Sequence, residues 1–224
     1  MYGREFGCFQ GDYTTTIFLL PAISLLFKPI IPLKIVLLPL KLDDKVLQIN
    51  DKTFEIFIRK EEIQTEIASL AARLEADYAG KEVVFIAVLN GAFMFAADLM
   101  KQFRSPCEIT FVKVSSYKGM NSSGRVDEVI GLNTVIKDKH VIIVEDIVDT
   151  GITMEKLFTL LSVEKPASLE IVTLLHKPEA FKGTHTPTYI GFSIPNKFVV
   201  GYGLDYDELG RNTEHIYQLK GETH

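Results

Sequence analysis

The segment VIIVEDIVDTGIT occupies residues 141–153 and combines a strand pattern, an acid pair and a glycine turn. Its first four residues are all apolar, which is typical of a parallel strand buried on both faces. Glu145 and Asp146 follow at the point where such a strand should end. The turn DTGIT, residues 149–153, then leads into an amphipathic run over residues 154–161. This pattern predicts a strand–turn–helix unit of an α/β fold.

Each part of this unit suits a sugar phosphate, because open α/β sheets bind ligands at the carboxyl ends of parallel strands. A glycine turn onto a helix N-terminus offers backbone N–H groups to a phosphate, and the Thr150 and Thr153 hydroxyls add donors. The carboxylates of Glu145 and Asp146 suit the vicinal hydroxyls of a ribose, or a hard cation. The alternative is an ordinary strand–turn–helix with solvated acids. The acid pair followed by Asp-Thr-Gly favours a ribose 5-phosphate site.

The whole chain has the composition of a globular protein. Among 224 residues, 47% are hydrophobic and 24% are charged, and the net charge is −5. The chain has no block of Lys or Arg, so non-specific nucleic-acid binding is disfavoured. Cys8 and Cys107 show neither metal-ligand nor redox spacing, and the five histidines show no metal spacing. These features favour a cytoplasmic protein in a reducing compartment.

Residues 1–44 differ from the rest of the chain. Residues 17–40 are mostly apolar, but four prolines and two lysines interrupt them. Repeated prolines break the hydrogen bonds of a spanning helix, and no cleavage-site pattern follows the apolar run. We interpret residues 1–44 as a hydrophobic extension outside the fold, with a membrane or signal element as the alternative. The folded domain is predicted to cover residues 45–224.

Beyond this extension, strand and helix patterns alternate along the chain. Buried strands are predicted at residues 83–89, 108–116, 141–144 and 169–175, and helices at residues 61–78, 93–103 and 154–161. This alternation predicts a parallel sheet with right-handed crossovers. Residues 189–194 and 216–219 are expected to pair nearby as small antiparallel strands. Residues 117–128 form a polar, Gly-rich loop that is predicted to close as a lid, with a disordered loop as the alternative.

The central motif and its flanking segments resemble those of a known enzyme family. VEDIVDTGIT, residues 144–153, is similar to the phosphoribosyl-pyrophosphate motif of type I phosphoribosyltransferases, and flanking segments over residues 45–219 resemble the hypoxanthine-guanine branch of that family. The resemblance implies an α/β type I phosphoribosyltransferase fold, with a central parallel sheet flanked by helices and a small hood subdomain. It also implies transfer of phosphoribosyl from phosphoribosyl pyrophosphate to a 6-oxopurine, with Mg2+ as cofactor, in a homodimer or homotetramer.

The same resemblance implies a role for individual residues. Asp149 is the catalytic residue, which would accept or return a proton at the purine N7, although Asp is also a common helix N-cap. The other roles are ribose binding by Glu145 and Asp146; 5-phosphate binding by Thr150, Gly151, Ile152 and Thr153; pyrophosphate binding by Asn90, Gly91, Lys113 and Arg211; a lid contact by Ser116 and Tyr117; and Mg2+ binding by Glu145, Asp146 and Asp205. Asn90 and Ile152 depart from the Lys and the more polar residue that relatives often carry there.

On the base side, the resemblance implies that Lys177 recognises the purine, Phe198 stacks on it, and the Val199 backbone meets its edge. An ammonium group only donates, so it pairs with a 6-oxo group and conflicts with a 6-amino group. The alternatives without a role in binding are that Lys177 is an ordinary surface lysine and that Phe198 is an ordinary core residue. Two other functions stay open: transfer to another base such as xanthine, and a regulator that binds phosphoribosyl pyrophosphate without turnover.

Overall fold

The computed structural model describes residues 46–114 and 129–221. The predicted extension, residues 1–44, lies outside these ranges, and so do the lid residues Ser116 and Tyr117. The boundary expected near residue 45 and the closing lid therefore stay predictions. In the described part of the chain, no helix is long and apolar enough to cross a membrane.

Strands and helices alternate along the described chain. In order they are β1 (Val46–Ile49), β2 (Lys52–Ile58), α1 (Lys60–Asp77), β3 (Val83–Leu89), α2 (Phe93–Gln102), β4 (Glu108–Val114), β5 (Val129–Ile130), β6 (His140–Val148), α3 (Ile152–Ser162), β7 (Ser168–His176), β8 (Tyr189–Ser193), β9 (Val199–Val200) and β10 (Ile216–Leu219). The strands form two sheets, one of six strands and one of four.

The larger sheet has the strand order β5-β4-β3-β6-β7-β8. Its neighbours from β4 to β8 pair in parallel, and only the short edge strand β5 runs antiparallel. The central strands β3 and β6 are buried over most of their length, as their continuous apolar runs require. The predicted parallel sheet with helical crossovers is confirmed.

Helices cover both faces of this sheet, and alternation along the strands decides which side chains meet which helix. On one face, α1 and α2 pack with Phe85 and Ala87 of β3. On the other face, α3 packs with Val84 and Ile86. The predicted apolar stripe of α1 is buried, and its members are Ile63, Ile67, Leu70, Leu74 and Tyr78. The periodicity of the sequence therefore located this helix correctly.

The smaller sheet, which we call the hood, has the strand order β1-β2-β10-β9, and all its pairs are antiparallel. Its core contains Phe54 and Val200, which are fully buried, together with Ile49 and Tyr217. Strand β9 belongs to the hood, and Gly203, which follows it, lies against Gly91 in the turn after β3. The hood subdomain implied by the family resemblance is present.

Two expectations about strands were wrong. Strand β6 does not end before the acid pair, because it continues to Val148 and Glu145 lies inside it. Pairing with β7 causes this extension: Glu145 lies opposite Thr173, and Val148 opposite His176. Strand β8 was expected to pair antiparallel beside β10, but it is the parallel edge strand of the larger sheet, next to β7. Strand β10 does pair antiparallel, with β2 and β9.

Candidate active site

Glu145 lies buried near the carboxyl end of β6, where β3 no longer pairs with that strand. The last β3–β6 pair joins Ala87 to Val144, one residue before the acid. The Glu145 side chain is 8% exposed, and its Oε2 atom is buried without a hydrogen-bond partner among the described residues. Burial raises the pKa of Glu145 well above its usual range, and the charges of Asp146 and Asp149 raise it further. A buried acid with an unpartnered oxygen suits a hydroxyl donor or a cation.

Asp146 is partly buried beside Glu145. Its Oδ1 atom accepts a hydrogen bond of 2.9 Å from the backbone N–H of Ile147. Burial raises the pKa of Asp146 to about 6, although the Ile147 N–H and the Arg211 charge oppose this rise. The negative charge of Asp205 acts in the same direction as burial and also raises the pKa of Asp146. Asp205 and Arg211 are therefore close enough to Asp146 for their charges to change its pKa, and Asp146 and Asp205 are two of the predicted cation ligands.

The turn after β3 lies directly against Asp146. The Leu89–Asn90 peptide bond is cis, and Gly91 follows it. A Cβ atom on Gly91 would lie 1.7 Å from Oδ2 of Asp146, so only glycine fits there. On the other side, a Cβ on Gly203 would lie 2.1 Å from the Gly91 carbonyl oxygen. The predicted pyrophosphate turn is thus enclosed between Asp146, a predicted ribose-binding acid, and the segment that follows β9.

The turn between β6 and α3 contains the predicted catalytic and phosphate-binding residues. Asp149 is exposed, and its carboxylate accepts a hydrogen bond from the Thr150 N–H. Gly151, with φ of 83°, is the residue that caps α3, so Asp149 is not the N-cap of this helix. Ile152 and Thr153 begin the helix, whose first N–H groups have no partner within it. Ile152 is 60% exposed, as expected where the backbone rather than the side chain binds the phosphate.

Asp205 and Arg211 bind each other. Nη2 of Arg211 lies 2.8 Å from Oδ1 of Asp205 and 3.0 Å from Oε2 of Glu208. Its Nη1 atom donates to the Gly203 carbonyl at 2.9 Å. The guanidinium is therefore fixed beside the glycine turn by two carboxylates and one carbonyl. In this arrangement Arg211, the predicted pyrophosphate contact, binds one carboxylate oxygen of Asp205, a predicted Mg2+ ligand.

Lys177 follows β7 at the same edge of the sheet. Its backbone N–H donates to the Val148 carbonyl at 2.9 Å, which places it beside the end of β6. The residue is partly buried. Lys113, a further predicted pyrophosphate contact, is exposed on β4 and lies opposite Leu89. The strand register thus places both lysines next to the chain segments that carry the acids and the glycine turn.

Phe198 and Val199 lie in the hood. The Phe198 side chain is 38% exposed, so it is not a core phenylalanine. Its ring packs against Phe54 and Tyr206, with centroids 6.2 and 5.8 Å away. Val199 is buried and opposite Gln218 of β10. An exposed ring fixed by two other aromatic rings is suitable for stacking on a planar base.

With this geometry in place, comparisons with known proteins identify the family. Residues 58–207 match the model of the phosphoribosyl transferase domain. The chain is 44% identical over 171 residues to the hypoxanthine-guanine phosphoribosyltransferase of Staphylococcus aureus (strain Mu50 / ATCC 700699), covering 76% of this chain and 96% of the relative. The chain belongs to the hypoxanthine-guanine phosphoribosyltransferase family.

Further members of this family are also similar to the chain in sequence and in structure. The hypoxanthine-guanine phosphoribosyltransferase of Aquifex aeolicus is 39% identical over 168 residues, which are 74% of this chain and 94% of the relative. A crystal structure of a hypoxanthine phosphoribosyltransferase from Staphylococcus aureus superposes with a TM-score of 0.70 at 41% identity, covering 80% of this chain and 94% of that one. The type I phosphoribosyltransferase fold implied by the sequence is therefore confirmed.

Some residues that contact the candidate site escaped the sequence analysis. Gly203 was missed, although the GYG pattern at residues 201–203 offers a signal for close backbone approach. Glu208 was missed because an acid three residues before an arginine is common on protein surfaces. Phe181 was missed because its position over Gly151, with Cε2 2.6 Å from a Cβ placed there, depends on tertiary structure.

The predicted Mg2+ ligands do not form a cage of protein atoms. Across residues 46–114 and 129–221, no group of three or more His, Cys, Asp or Glu is arranged to hold a metal ion. Mg2+ usually takes one or two carboxylates and completes its shell with waters and substrate phosphates. The buried, unpartnered Oε2 atom of Glu145 beside Asp146 fits such a cation, and the acid set therefore suits binding together with a phosphorylated substrate.

Proposed function

We propose that this enzyme works in purine salvage and transfers phosphoribosyl from 5-phosphoribosyl 1-pyrophosphate to hypoxanthine or guanine. The products are IMP or GMP and pyrophosphate. The observation that supports this most strongly is the meeting of four features at one sheet edge: the acids of β6, the N-terminus of α3, the glycine turn against Asp146, and Lys177. Each feature matches one part of the substrates: ribose, 5-phosphate, pyrophosphate and base.

The acids would act on the ribose. As the bond from C1′ to pyrophosphate breaks, positive charge develops on the ring, and Glu145 and Asp146 would stabilise it while they accept hydrogen bonds from its hydroxyls. A purine nitrogen forms the new bond to C1′. The purine loses its N7 proton to Asp149, which is exposed and directly follows Val148, the residue whose carbonyl accepts the Lys177 N–H. Arg211 would exchange its carboxylate partners for oxygens of the leaving pyrophosphate.

Mg2+ is the proposed cofactor, with Glu145, Asp146 and Asp205 as its protein-side ligands. These residues would hold the ion where it would supply positive charge against the leaving pyrophosphate. These side chains would contribute few ligands, which agrees with the lack of a protein cage in the described residues. We also propose a cytoplasmic homodimer or homotetramer, as is usual for this family.

Base choice would depend on the hood and on β7. Phe198 presents an exposed ring for stacking, and the Val199 backbone follows it directly. Lys177 would donate to the 6-oxo group of the purine. Both the base-side residues and the acids are retained, which favours an enzyme over a regulator that only senses phosphoribosyl pyrophosphate. Xanthine remains the alternative substrate.

The test is an assay of the purified full chain with hypoxanthine, guanine, xanthine and adenine, at saturating phosphoribosyl pyrophosphate and Mg2+. We expect rapid nucleotide formation with hypoxanthine and guanine and almost none with adenine. A preference for xanthine would shift the proposal to the alternative base. Tight binding of phosphoribosyl pyrophosphate with no turnover of any base would instead identify a regulator and contradict the proposal.

A further inference from the structure

The segment after β7 folds back over the phosphate turn. We call it the cover loop, residues 177–185. It begins with a turn in which the N–H groups of Ala180 and Phe181 donate to the Lys177 carbonyl, each at 3.1 Å. The N–H of Lys182 then donates to the Thr150 carbonyl at 3.1 Å. The loop therefore starts at the base-recognising lysine and returns to the phosphate-binding turn.

Aromatic side chains fill the space between the cover loop and α3. The Phe181 ring lies directly over Gly151 and makes an edge contact with His176, with centroids 5.4 Å apart. The His185 ring stacks on Phe158 of α3 at 4.0 Å with an interplanar angle of 23°. These contacts give the loop a fixed distance from the helix. They do not by themselves fix its position along the helix, because apolar contacts are non-directional.

The position of the cover loop along α3 is fixed by directional hydrogen bonds to the Glu155 carboxylate, which lies in the first turn of that helix. Oε1 of Glu155 accepts hydrogen bonds from the Thr184 and His185 N–H groups and from the Thr184 hydroxyl, the last two at 2.9 and 3.0 Å. Its Oε2 atom lies 2.9 Å from both the Thr184 hydroxyl and Nδ1 of His185. These donors, the His185 N–H first, lower the pKa of Glu155 to about 2. The carboxylate is therefore charged wherever the protein is folded and active.

We infer that Glu155 is a positioning residue that sets the distance between the base lysine and the phosphate-binding turn. This inference rests on the proposed function. The substrate spans that distance, since its purine lies at Lys177 and its 5-phosphate at the start of α3. Glu155 lies on the same helix as the phosphate-binding N–H groups and binds the far end of the cover loop. A carboxylate that accepts from several donors thus holds both ends of the substrate site in register.

Glu75 is a suitable control for Glu155, because its carboxylate makes similar hydrogen bonds to a loop at the opposite end of the sheet. Oε1 of Glu75 in α1 accepts from the N–H groups of Arg104 and Ser105, both at 2.7 Å, and its Oε2 accepts from the Ser105 hydroxyl at 3.2 Å. These residues connect α2 to β4 at the amino end of the sheet, whereas ligands bind at the carboxyl end. Glu75 therefore makes the same kind of loop contact as Glu155 without touching the substrate site.

The experiment compares Glu155→Ala, Glu155→Gln and Glu75→Ala for melting temperature and for kcat and KM with hypoxanthine and adenine. Both alanine variants should lose thermal stability. Only Glu155→Ala should raise the KM for hypoxanthine, by about tenfold, and narrow the preference for hypoxanthine over adenine, because a displaced Lys177 would bind the 6-oxo group less well and adenine makes no such hydrogen bond. Glu155→Gln should stay close to the wild type, since its amide oxygen can still accept from the loop N–H groups.

Equal KM and equal base preference in Glu155→Ala and Glu75→Ala would overturn the positioning role, and so would a Glu155→Gln variant as impaired as Glu155→Ala. If Glu155→Ala does not fold, Thr184→Val removes one donor while keeping the side-chain shape. It should raise the hypoxanthine KM in the same direction, and an unchanged KM would overturn the inference. The wild type tests the function separately: without hypoxanthine turnover the proposed function fails, whereas wild-type turnover with an unaffected Glu155→Ala overturns only the positioning role.

Discussion

Gly91 and Asp146 are in such close contact that a Cβ on the glycine would lie 1.7 Å from Oδ2 of the aspartate. The glycine belongs to the turn after β3, and the aspartate to the end of β6. The turn proposed to bind pyrophosphate and the acid proposed to bind ribose therefore define each other's position. Asp146 has a short side chain, and its other oxygen accepts from the Ile147 N–H, so it cannot move aside without losing that hydrogen bond.

Replacing Gly91 by alanine should displace the Asp146 carboxylate. We expect kcat/KM for phosphoribosyl pyrophosphate to fall by about 100-fold, because the ribose acid would leave its productive position. Steady-state kinetics with varied phosphoribosyl pyrophosphate measure this effect. Gly80→Ala is the control, since a Cβ on Gly80 meets nothing within 4 Å although its φ is 72°. That variant should lose some stability and keep its kinetics. An unchanged kcat/KM in Gly91→Ala would show that the close contact does not hold Asp146 in its productive position.

Asp146 should destabilise the substrate-free protein at neutral pH. Its pKa rises from 3.8 in a solvated chain to about 6 in the folded protein. Between these values the folded state keeps a proton that the unfolded chain has lost, so the free energy of unfolding falls as the pH rises. Each pKa unit corresponds to about 1.4 kcal/mol, and because Asp146 keeps some solvent exposure we expect about 1–2 kcal/mol in total.

Asp146→Asn should therefore raise the melting temperature at pH 7 while it removes activity. Denaturant unfolding of the wild type and the variant at several pH values measures the difference. At about pH 2.8, one unit below the solvated pKa of 3.8, Asp146 is mostly protonated in both states, and the two proteins should be about equally stable. Equal stability at pH 7 as well would show that burial does not penalise this carboxylate.

The sequence predicted those features that depend on local patterns. The α1 stripe from Ile63 to Leu74 follows helical periodicity, and β3 has the predicted bounds because a buried strand is a continuous apolar run. The turn between β6 and α3 was predicted because glycine and threonine between a strand and a helix form a short local motif. These patterns need no knowledge of which strands become neighbours.

The features that the sequence analysis missed depend on contacts between distant segments. Strand β6 continues to Val148 because β7 pairs with it, and no residue of β6 itself encodes that partner. Strand β8 was assigned to the wrong sheet for the same reason. The contact of Gly203 with Gly91 and the hydrogen bonds from the cover loop to Glu155 also join segments far apart in the chain. Local propensity does not determine such tertiary contacts.

Asp149→Asn should separate binding from chemistry. Asp149 accepts from the Thr150 N–H, and an asparagine oxygen can do the same, so the phosphate turn should keep its shape. We expect unchanged affinity for phosphoribosyl pyrophosphate, measured by calorimetry, and turnover slower by about 10²–10⁴-fold, the range of general acid–base groups. Normal turnover would exclude proton transfer by Asp149.

Deleting residues 1–44 should leave kcat and the melting temperature nearly unchanged. The match to the phosphoribosyl transferase domain covers residues 58–207, and every proposed site residue lies beyond residue 89. The full chain is the control, assayed under the same conditions. A truncated protein that is folded but inactive would show that the extension contributes to the enzyme.

The base preference should depend on Lys177. Strand β7 delivers this residue to the ligand edge of the sheet, where its N–H is bound to Val148. Its ammonium group can donate to the 6-oxo group of hypoxanthine or guanine, but it cannot accept from the 6-amino group of adenine. Lys177→Ala should therefore lose more kcat/KM with the oxopurines than with adenine, by a ratio of at least about tenfold.

The measurement is kcat/KM for hypoxanthine, guanine and adenine in the wild type and the variant, at saturating phosphoribosyl pyrophosphate and Mg2+. Lys182→Ala is a suitable control, because Lys182 is exposed in the same loop and its backbone N–H, which a substitution keeps, makes the contact with Thr150. That variant should retain the wild-type base preference. If the wild type uses adenine as well as hypoxanthine, or if both variants change the preference equally, Lys177 does not select the base.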